Sequence, residues 1–131
     1  PNPYINALRG VEFTHVKPVP VVNYFETLIN LNFDMALMPL LDTPSNRCKS
    51  YHKVLQYSML GIPIVCSNVE PYTNAKGLGL MKCNNDDHWD AGIDAFMDPL
   101  RRQVFSNGNK AHVYNNYCWD SHNIDVLTSL F

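Results

Sequence analysis

Two uninterrupted apolar runs stand out in the pattern of hydrophobic and polar positions along the chain. Residues 33–41 (FDMALMPLL) are apolar apart from Asp34, and residues 62–67 (IPIVCS) form the second run. Such runs are typical of strands that are buried on both faces, as in a parallel sheet. Two shorter strands are predicted at residues 11–15 and at residues 77–81, the second of which is led by glycines.

Apolar residues at helical spacing predict that helices separate and follow these strands. The predicted helices are residues 21–30, 50–60, 86–97, 99–116 and 120–130. Gly61 stands where a left-handed residue ends a helix, and Pro63 follows it as a stop signal. Residues 42–47 are predicted to form a loop, and residues 71–76 a short helical turn.

Individual residues near the helix ends are predicted to cap a helix or to pack in the core. Asp87 is expected to cap the helix that begins at residue 86, and Trp89 is expected to enter the core. Trp119 and Phe131 are expected to pack the last helix against the rest of the domain.

Strands that alternate with helices predict an α/β fold, with a Rossmann-like parallel sheet flanked by helices. Ligands of such sheets bind beyond the carboxyl ends of the strands. The loops after Leu41 and Ser67, and the helix start near Ser50, are therefore the first candidates for a functional site.

Composition narrows the class of protein. The chain has 131 residues, of which 46% are hydrophobic and 17% charged, so it is not intrinsically disordered, and its length suits one domain over residues 1–131. The net charge of −2 gives no general basic field for nucleic acid or anionic lipid.

The cysteines and the lengths of the apolar runs exclude further classes. No CxxC pair occurs, and no histidine lies at zinc-finger spacing from a cysteine, so a structural zinc site is not indicated. Free thiols in a reducing compartment are favoured over a disulfide framework, which suggests a cytoplasmic protein. No apolar run reaches the roughly 18–20 residues of a membrane span.

Residues 43–69 are the most informative segment. They contain no Asp or Glu, but they hold Arg47, Lys49 and Lys53. On a helix Lys49, Lys53 and Gln56 would fall within about 60° of one another. The apolar positions on the opposite side, which must face the sheet, are Val54, Leu55 and Met59. Cations at a helix start are unfavourable unless an anion is bound there, so the pattern indicates a phosphate site. A solvated basic patch is the alternative, and the spacing leaves both open.

The amino-acid sequence in and around this segment resembles that of a known protein family. Residues 46–67 read NRCKSYHKVLQYSMLGIPIVCS and are followed by NVEPYTN, while FDMALMPLLDTPSN precedes them and WDSHNIDVLTSLF closes the chain. The sequence resembles the donor-binding half of GT-B glycosyltransferases, particularly the bacterial family-4-like enzymes. The resemblance covers residues 11–131 and is most specific over residues 33–73.

The resemblance implies that the chain is the C-terminal, donor-binding part of a two-domain enzyme, entered after its first strand or strands. The donor would be a nucleotide-diphosphate sugar of the UDP, GDP or dTDP type. A missing N-terminal domain would bind a saccharide or lipid-linked acceptor, so the chain alone is expected to be inactive. The complete enzyme would be cytoplasmic, or peripheral at the inner face of the membrane, in polysaccharide biosynthesis.

The resemblance also implies roles for individual residues. Lys49, Ser50 and Lys53 match positions near the donor diphosphate, and Arg47 is a further candidate for that role. The expected leaving group is a nucleoside diphosphate, so Lys53 and Arg47 would act in catalysis by stabilising its developing negative charge. Protein cations in this role require no metal, and no carboxylate cluster for Mg²⁺ is visible. Hexosyl transfer with retention is implied by analogy alone.

Several positions depart from the family pattern. Gln56 and Cys48 occupy the two positions of the family's E-x7-E motif, near the ribose and the donor sugar respectively. Glutamine still bonds a hydroxyl, but without charge assistance, and cysteine does not replace a carboxylate. His15 stands in place of a glycine, at a strand end where a donor contact is expected. Glu70 is expected either to cap the turn after it or to contribute a carboxylate to the site.

Three functions therefore stay open at this stage. The first is the donor-binding domain of an active glycosyltransferase, and the second is a catalytically inactive domain of the same fold with a binding or assembly role. The third is a sugar-nucleotide epimerase, which would need acid and base carboxylates that this segment lacks. His52, beside Lys53, is either a donor contact or a surface residue.

Overall fold

The structure is a computed structural model, and it describes residues 10–118. The chain divides into two compact units, Pro1–Leu31 and Asn32–Phe131. The helix predicted at residues 120–130 lies outside the described residues, as do Trp119 and Phe131. The prediction of one domain over the whole chain stays a prediction.

The described part of the first unit, residues 10–31, contains one 3-10 turn and one α-helix. A 3-10 turn at Val21–Asn23 leads directly into helix α1, Tyr24–Leu31, which confirms the predicted helix. The predicted strand at residues 11–15 is wrong, because residues 12–20 adopt no regular secondary structure. An extended segment becomes a strand only when a neighbour satisfies its backbone groups, and residues 10–31 contain no such neighbour.

The second unit contains a sheet of three parallel strands among its described residues. Strands β1 (Ala36–Met38), β2 (Ile64–Ser67) and β3 (Leu80–Cys83) lie in the order β1-β2-β3. Leu37 pairs with Val65, and Val65 pairs with Met81, so the strands are in register across the sheet. The predicted α/β class with a parallel sheet flanked by helices is confirmed, and the arrangement is compatible with a Rossmann-like fold.

The central and outer strands differ in burial. Ile64, Val65 and Cys66 of β2 are 0% exposed, which confirms the prediction of a strand buried on both faces. The same prediction is wrong for residues 33–41, because the strand is shorter and Leu37 is 52% exposed. β1 is an outer strand of the described sheet, and its helix cover reaches Met38 but not Leu37.

The third strand begins later than predicted. Gly77 has φ of 80°, in the left-handed region that favours glycine, so it belongs to a turn and the strand starts at Leu80. The short 3-10 turn at Tyr72–Asn74 confirms the helical turn predicted after β2.

The segment after β1 forms a short helix where a loop was predicted. Helix α2 spans Pro44–Arg47. The Thr43 hydroxyl accepts a hydrogen bond from the Asn46 amide at 3.2 Å, and proline at the first helical position suits a helix start. Helix α3 spans His52–Leu60, so it begins two residues after the predicted start.

The ends of the later helices follow from local residues. Gly61 ends α3 with φ of 76°, as predicted. Helices α4 (Asp86–Met97) and α5 (Pro99–Tyr117) confirm the predicted pair. Asp87 does not cap α4, because the Asn85 side chain, one position before the helix, accepts the His88 amide at 2.9 Å.

The helices cover the sheet in two layers. On one face α3 and α5 bring Val54 and Val113 against Ile64 and Cys66. On the other face α4 brings Phe96 against Val65 and Cys83, with Trp89 beside them as predicted for a core residue. The carboxyl ends of all three strands are left at one edge of the sheet, where the following loops gather.

Candidate functional site

Two cavities open at this edge of the sheet. The larger, about 520 Å³, is here called the cationic cavity, and it lies between the loop after β1, the start of α3 and the turn after β2. Its lining residues are Pro39, Leu40, Lys49, Ser50, His52, Lys53, Pro71 and Tyr72. The smaller, about 260 Å³, is here called the amide cavity, and it lies where the loops after all three strands meet the start of α4.

The cationic cavity brings together most of the predicted phosphate site. Lys49, Ser50 and Lys53 all line it, and all three are exposed. His52 lines it as well and is exposed, so both alternatives predicted for this histidine, a donor contact and a surface residue, stay open. No Asp or Glu contributes to the wall, so the cavity carries only positive or neutral side chains.

The start of α3 adds backbone donors to these cations. Tyr51 precedes the helix and provides no side-chain cap, while its carbonyl accepts the amides of Val54 and Leu55. Within residues 10–118 the amides of His52 and Lys53 have no hydrogen-bond partner. Unpaired amides at a helix start carry partial positive charge, so the cavity and the helix favour the same kind of ligand, an anion.

Lys49 does not lie on the same helix as Lys53, contrary to the prediction from the sequence. Lys49 precedes α3, so it does not share a helical stripe with Lys53 and Gln56; it reaches the cavity from the loop before the helix. Val54 is fully buried on the side facing the sheet, as predicted, whereas Met59 was also expected there and is 44% exposed.

Three other predicted residues lie outside the wall of the cationic cavity. Gln56 is half-buried in the middle of α3, and Cys48 is exposed at the end of α2. His15 belongs to the first unit, in the segment without regular structure, whereas both cavities belong to the second.

Arg47 is held by a carboxylate. Its Nε donates to Asp42 Oδ1 at 2.6 Å and its second guanidinium nitrogen donates to Oδ2 at 2.8 Å, in a bidentate pair. The hydrogen bonds between Arg47 and Asp42 hold the pKa of Asp42 below its usual value and raise the pKa of Arg47, and the charges of Asp42 and Glu70 add to the second effect. Asp42 lines the amide cavity, whereas Arg47, the predicted catalytic arginine, lines neither cavity.

The turn after β2 supplies the apolar side of the cationic cavity. Pro71 and Tyr72 are buried and form part of its wall. Burial raises the pKa of the Tyr72 hydroxyl, so this group stays neutral. Glu70 does not cap the turn, since no side chain accepts a hydrogen bond from its first amides, and the capping alternative predicted for Glu70 is wrong.

The amide cavity is lined by the loops after Leu41 and Ser67, which were among the predicted places for a site, but none of its residues was assigned to the site from the sequence. Its polar lining includes Asn68 after β2 and Asn84 and Asn85 after β3, and the Asn68 amide nitrogen donates to Asn84 Oδ1 at 3.0 Å. The Ser67 hydroxyl accepts the backbone amide of Leu40 at 2.9 Å, which ties the loop after β1 to the end of β2. Asparagines directly after two successive strands were the available signal, because parallel strands end at the same edge.

Metal-binding groups, membrane-spanning helices and similarity to known proteins were the other possible indications of function. Within residues 10–118 no group of three or more His, Cys, Asp or Glu side chains is arranged to hold a metal ion, and no helix is long and apolar enough to cross a membrane. The chain matches no family model, no curated protein and no solved structure.

Proposed function

We propose that the chain is the donor-binding domain of a glycosyltransferase of the GT-B class, and that the cationic cavity binds the diphosphate of a nucleotide-diphosphate sugar. One observation carries the proposal: Lys49, Ser50 and Lys53 line the same cavity at the uncapped start of α3. These are the residues that the resemblance to that class assigns to the diphosphate.

The chemistry of the cavity suits this ligand. A diphosphate presents anionic oxygens in several directions, and the lysine amines, the serine hydroxyl and the unpaired amides of α3 are all donors to such oxygens. The same donors would stabilise the negative charge that develops on the leaving nucleoside diphosphate. Lys53 is the central residue in this role, because it lies in the first turn of α3 and lines the cavity.

Arg47 was predicted to stabilise the donor diphosphate directly, but in the structure it is paired with Asp42. Its guanidinium is engaged with Asp42, so it acts on the donor only after that pair is exchanged for a phosphate. The proposed reaction is the metal-independent transfer of a hexosyl group from the donor to the acceptor, with retention of configuration.

Isothermal titration calorimetry with UDP, GDP and dTDP tests the proposal. We expect one of these nucleotides to bind, and Lys53→Ala to weaken its binding about tenfold, since a hydrogen bond to a charged group contributes about 1.5 kcal/mol or more. Lys76→Ala is the matched control, because Lys76 is exposed and lies outside the wall of either cavity. Absence of binding by all three nucleotides would refute the proposal.

A catalytically inactive domain of the same class is the second candidate. Cys48 and Gln56 lie outside the wall of the cationic cavity, and Arg47 is paired with Asp42, which favours binding without transfer. A transfer assay on the complete protein separates the two functions. If the protein is an active enzyme, Gln56→Ala lowers the rate of transfer. If it is inactive, neither the unaltered protein nor the Gln56→Ala variant shows any transfer.

A further inference from the structure

We propose that the amide cavity is the subsite for the sugar ring of the donor, with Asn68 and Asn84 as the residues that bind its hydroxyl groups. The inference rests on the proposed function, because it places the second half of the ligand whose diphosphate lies in the cationic cavity. The two cavities are neighbours, since Leu40 lines both of them. A single ligand that passes over Leu40 therefore reaches both.

The hydrogen-bonding groups of the amide cavity match hydroxyl groups. One Asn68–Asn84 bond uses one donor of Asn68 and one lone pair of Asn84, and neither side chain has another hydrogen bond within residues 10–118. The oxygen of Asn68 and the amide nitrogen of Asn84 are thus free to accept and to donate. A hydroxyl group does both, so a polyol ring satisfies this pair better than an ion of one sign does.

An aromatic side chain accompanies these amides. Trp89 is half-buried and lines the cavity at the first turns of α4. Its ring offers an apolar surface to the C–H groups of a sugar, while the asparagines face the hydroxyl groups. This mixture of one aromatic surface and a few fixed polar groups distinguishes the cavity from the cationic one.

Charge sets the orientation of the ligand. No Lys or Arg lines the amide cavity, whereas Asp42 and Asp86 do. Carboxylates repel a phosphate but accept hydrogen bonds from hydroxyl groups. Because Asp42 is paired with Arg47, Asp86 is the carboxylate that carries this repulsion. The diphosphate therefore belongs in the cationic cavity and the neutral sugar in the amide cavity.

Size favours the same assignment. A cavity of about 260 Å³ lies below the range of about 300–1,000 Å³ that holds drug-sized ligands, so it suits a single ring. The cationic cavity, at about 520 Å³, has room for the diphosphate together with part of the nucleoside. A nucleobase in the amide cavity is the competing assignment, and the experiment separates it from a sugar.

The test compares each nucleoside diphosphate with its sugar derivative by titration calorimetry: UDP with UDP-glucose, GDP with GDP-mannose, and dTDP with dTDP-glucose. We expect Asn84→Ala to weaken binding of the sugar nucleotide about three- to tenfold, while binding of the nucleoside diphosphate is unchanged. Asn68→Ala should act in the same way. Asn107→Ala is the control, because Asn107 is exposed on α5 and lies outside both cavities.

The other outcomes overturn the inference in recognisable ways. Equal weakening of both ligands by Asn84→Ala would place the nucleoside in the amide cavity, and unchanged binding of both would remove the cavity from the site. If no nucleotide binds to the unaltered chain, the proposed function fails and the inference fails with it. Circular dichroism and a denaturation curve for each variant exclude loss of folding as the cause of a weaker signal.

Discussion

Asn109→Ala is the most informative test of how the second unit is held together. Asn109 lies on α5 and is 2% exposed. Its Oδ1 accepts the Gly79 amide at 2.6 Å and its Nδ2 donates to the Gly79 carbonyl at 3.0 Å, so one side chain satisfies both backbone groups at the entry to β3. Alanine would leave those groups without their partner.

The expected loss of stability combines two opposing effects. Two hydrogen bonds at about 1–1.5 kcal/mol each amount to about 2–3 kcal/mol of unfolding free energy. Alanine is also the better helix former, by about 0.5 kcal/mol, so the net loss is about 2 kcal/mol. Asn107→Ala, on the same helix but exposed, gains the helix term alone and should become slightly more stable.

The difference between the two alanine variants isolates the pair of hydrogen bonds, because the helix term is common to both. Equilibrium denaturation in urea, followed by circular dichroism, gives the two free energies of unfolding. We expect them to differ by about 2–3 kcal/mol. A difference below about 0.5 kcal/mol, the usual range for surface substitutions, would refute the assignment of these bonds to the stability of the fold.

Two further predictions concern the turn before β3 and the paired carboxylate. Gly77→Ala should destabilise the fold by about 1 kcal/mol or more, because φ is 80° and a Cβ would meet the His112 ring; Gly108→Ala, in open space on α5, should stabilise it by a similar amount, and urea denaturation checks both. Arg47→Gln should raise the pKa of Asp42 toward its usual value, as followed by NMR titration, and an unchanged pKa would contradict the pair. Because the folded-state pKa is depressed, any stability from this pair is present above the unfolded pKa and is lost as the pH falls through the folded value.

The elements that sequence reasoning predicted well are those whose determinants are close together in the chain. Helix α4 has its capping, apolar spacing and end within residues 85–98, and its bounds were predicted without error. The end of α3 is set locally by the left-handed Gly61, with Pro63 following it, and both residues were identified from the sequence. β2 was identified because both of its faces are covered, so no polar residue interrupts its apolar run.

The errors arose where a distant neighbour decides the outcome. Residues 33–41 have the same apolar character as β2, yet the burial of each position depends on which helix lies over it, and that information is not local. The strand predicted at residues 11–15 failed for the same reason, since a strand needs a partner. A run of apolar residues thus indicates a tendency to be buried and leaves open which neighbour provides the cover.

The candidate site divides in the same way. Lys49, Ser50 and Lys53 are close in sequence, and their gathering in one cavity follows from the turn between α2 and α3. The amide cavity draws on loops that are far apart in sequence and meet only because parallel strands end at one edge of the sheet. The pairing of Arg47 with Asp42 was not predicted from the sequence, because the conformation of the loop decides it more than the spacing of the two residues does.

The hydrogen bond between Ser67 and the backbone of Leu40 bears on how the ligand range of this fold could change during evolution. Loss of the Ser67 hydroxyl would leave a backbone amide without a partner and loosen the loop that separates the cavities, so selection for folding constrains this position. Asn68 and Asn84 are exposed and bond to each other, so they can be replaced together at little cost to stability. Under the proposed function, new ligand specificities are therefore expected to arise at Asn68 and Asn84, while residue 67 remains a small hydroxyl-bearing residue.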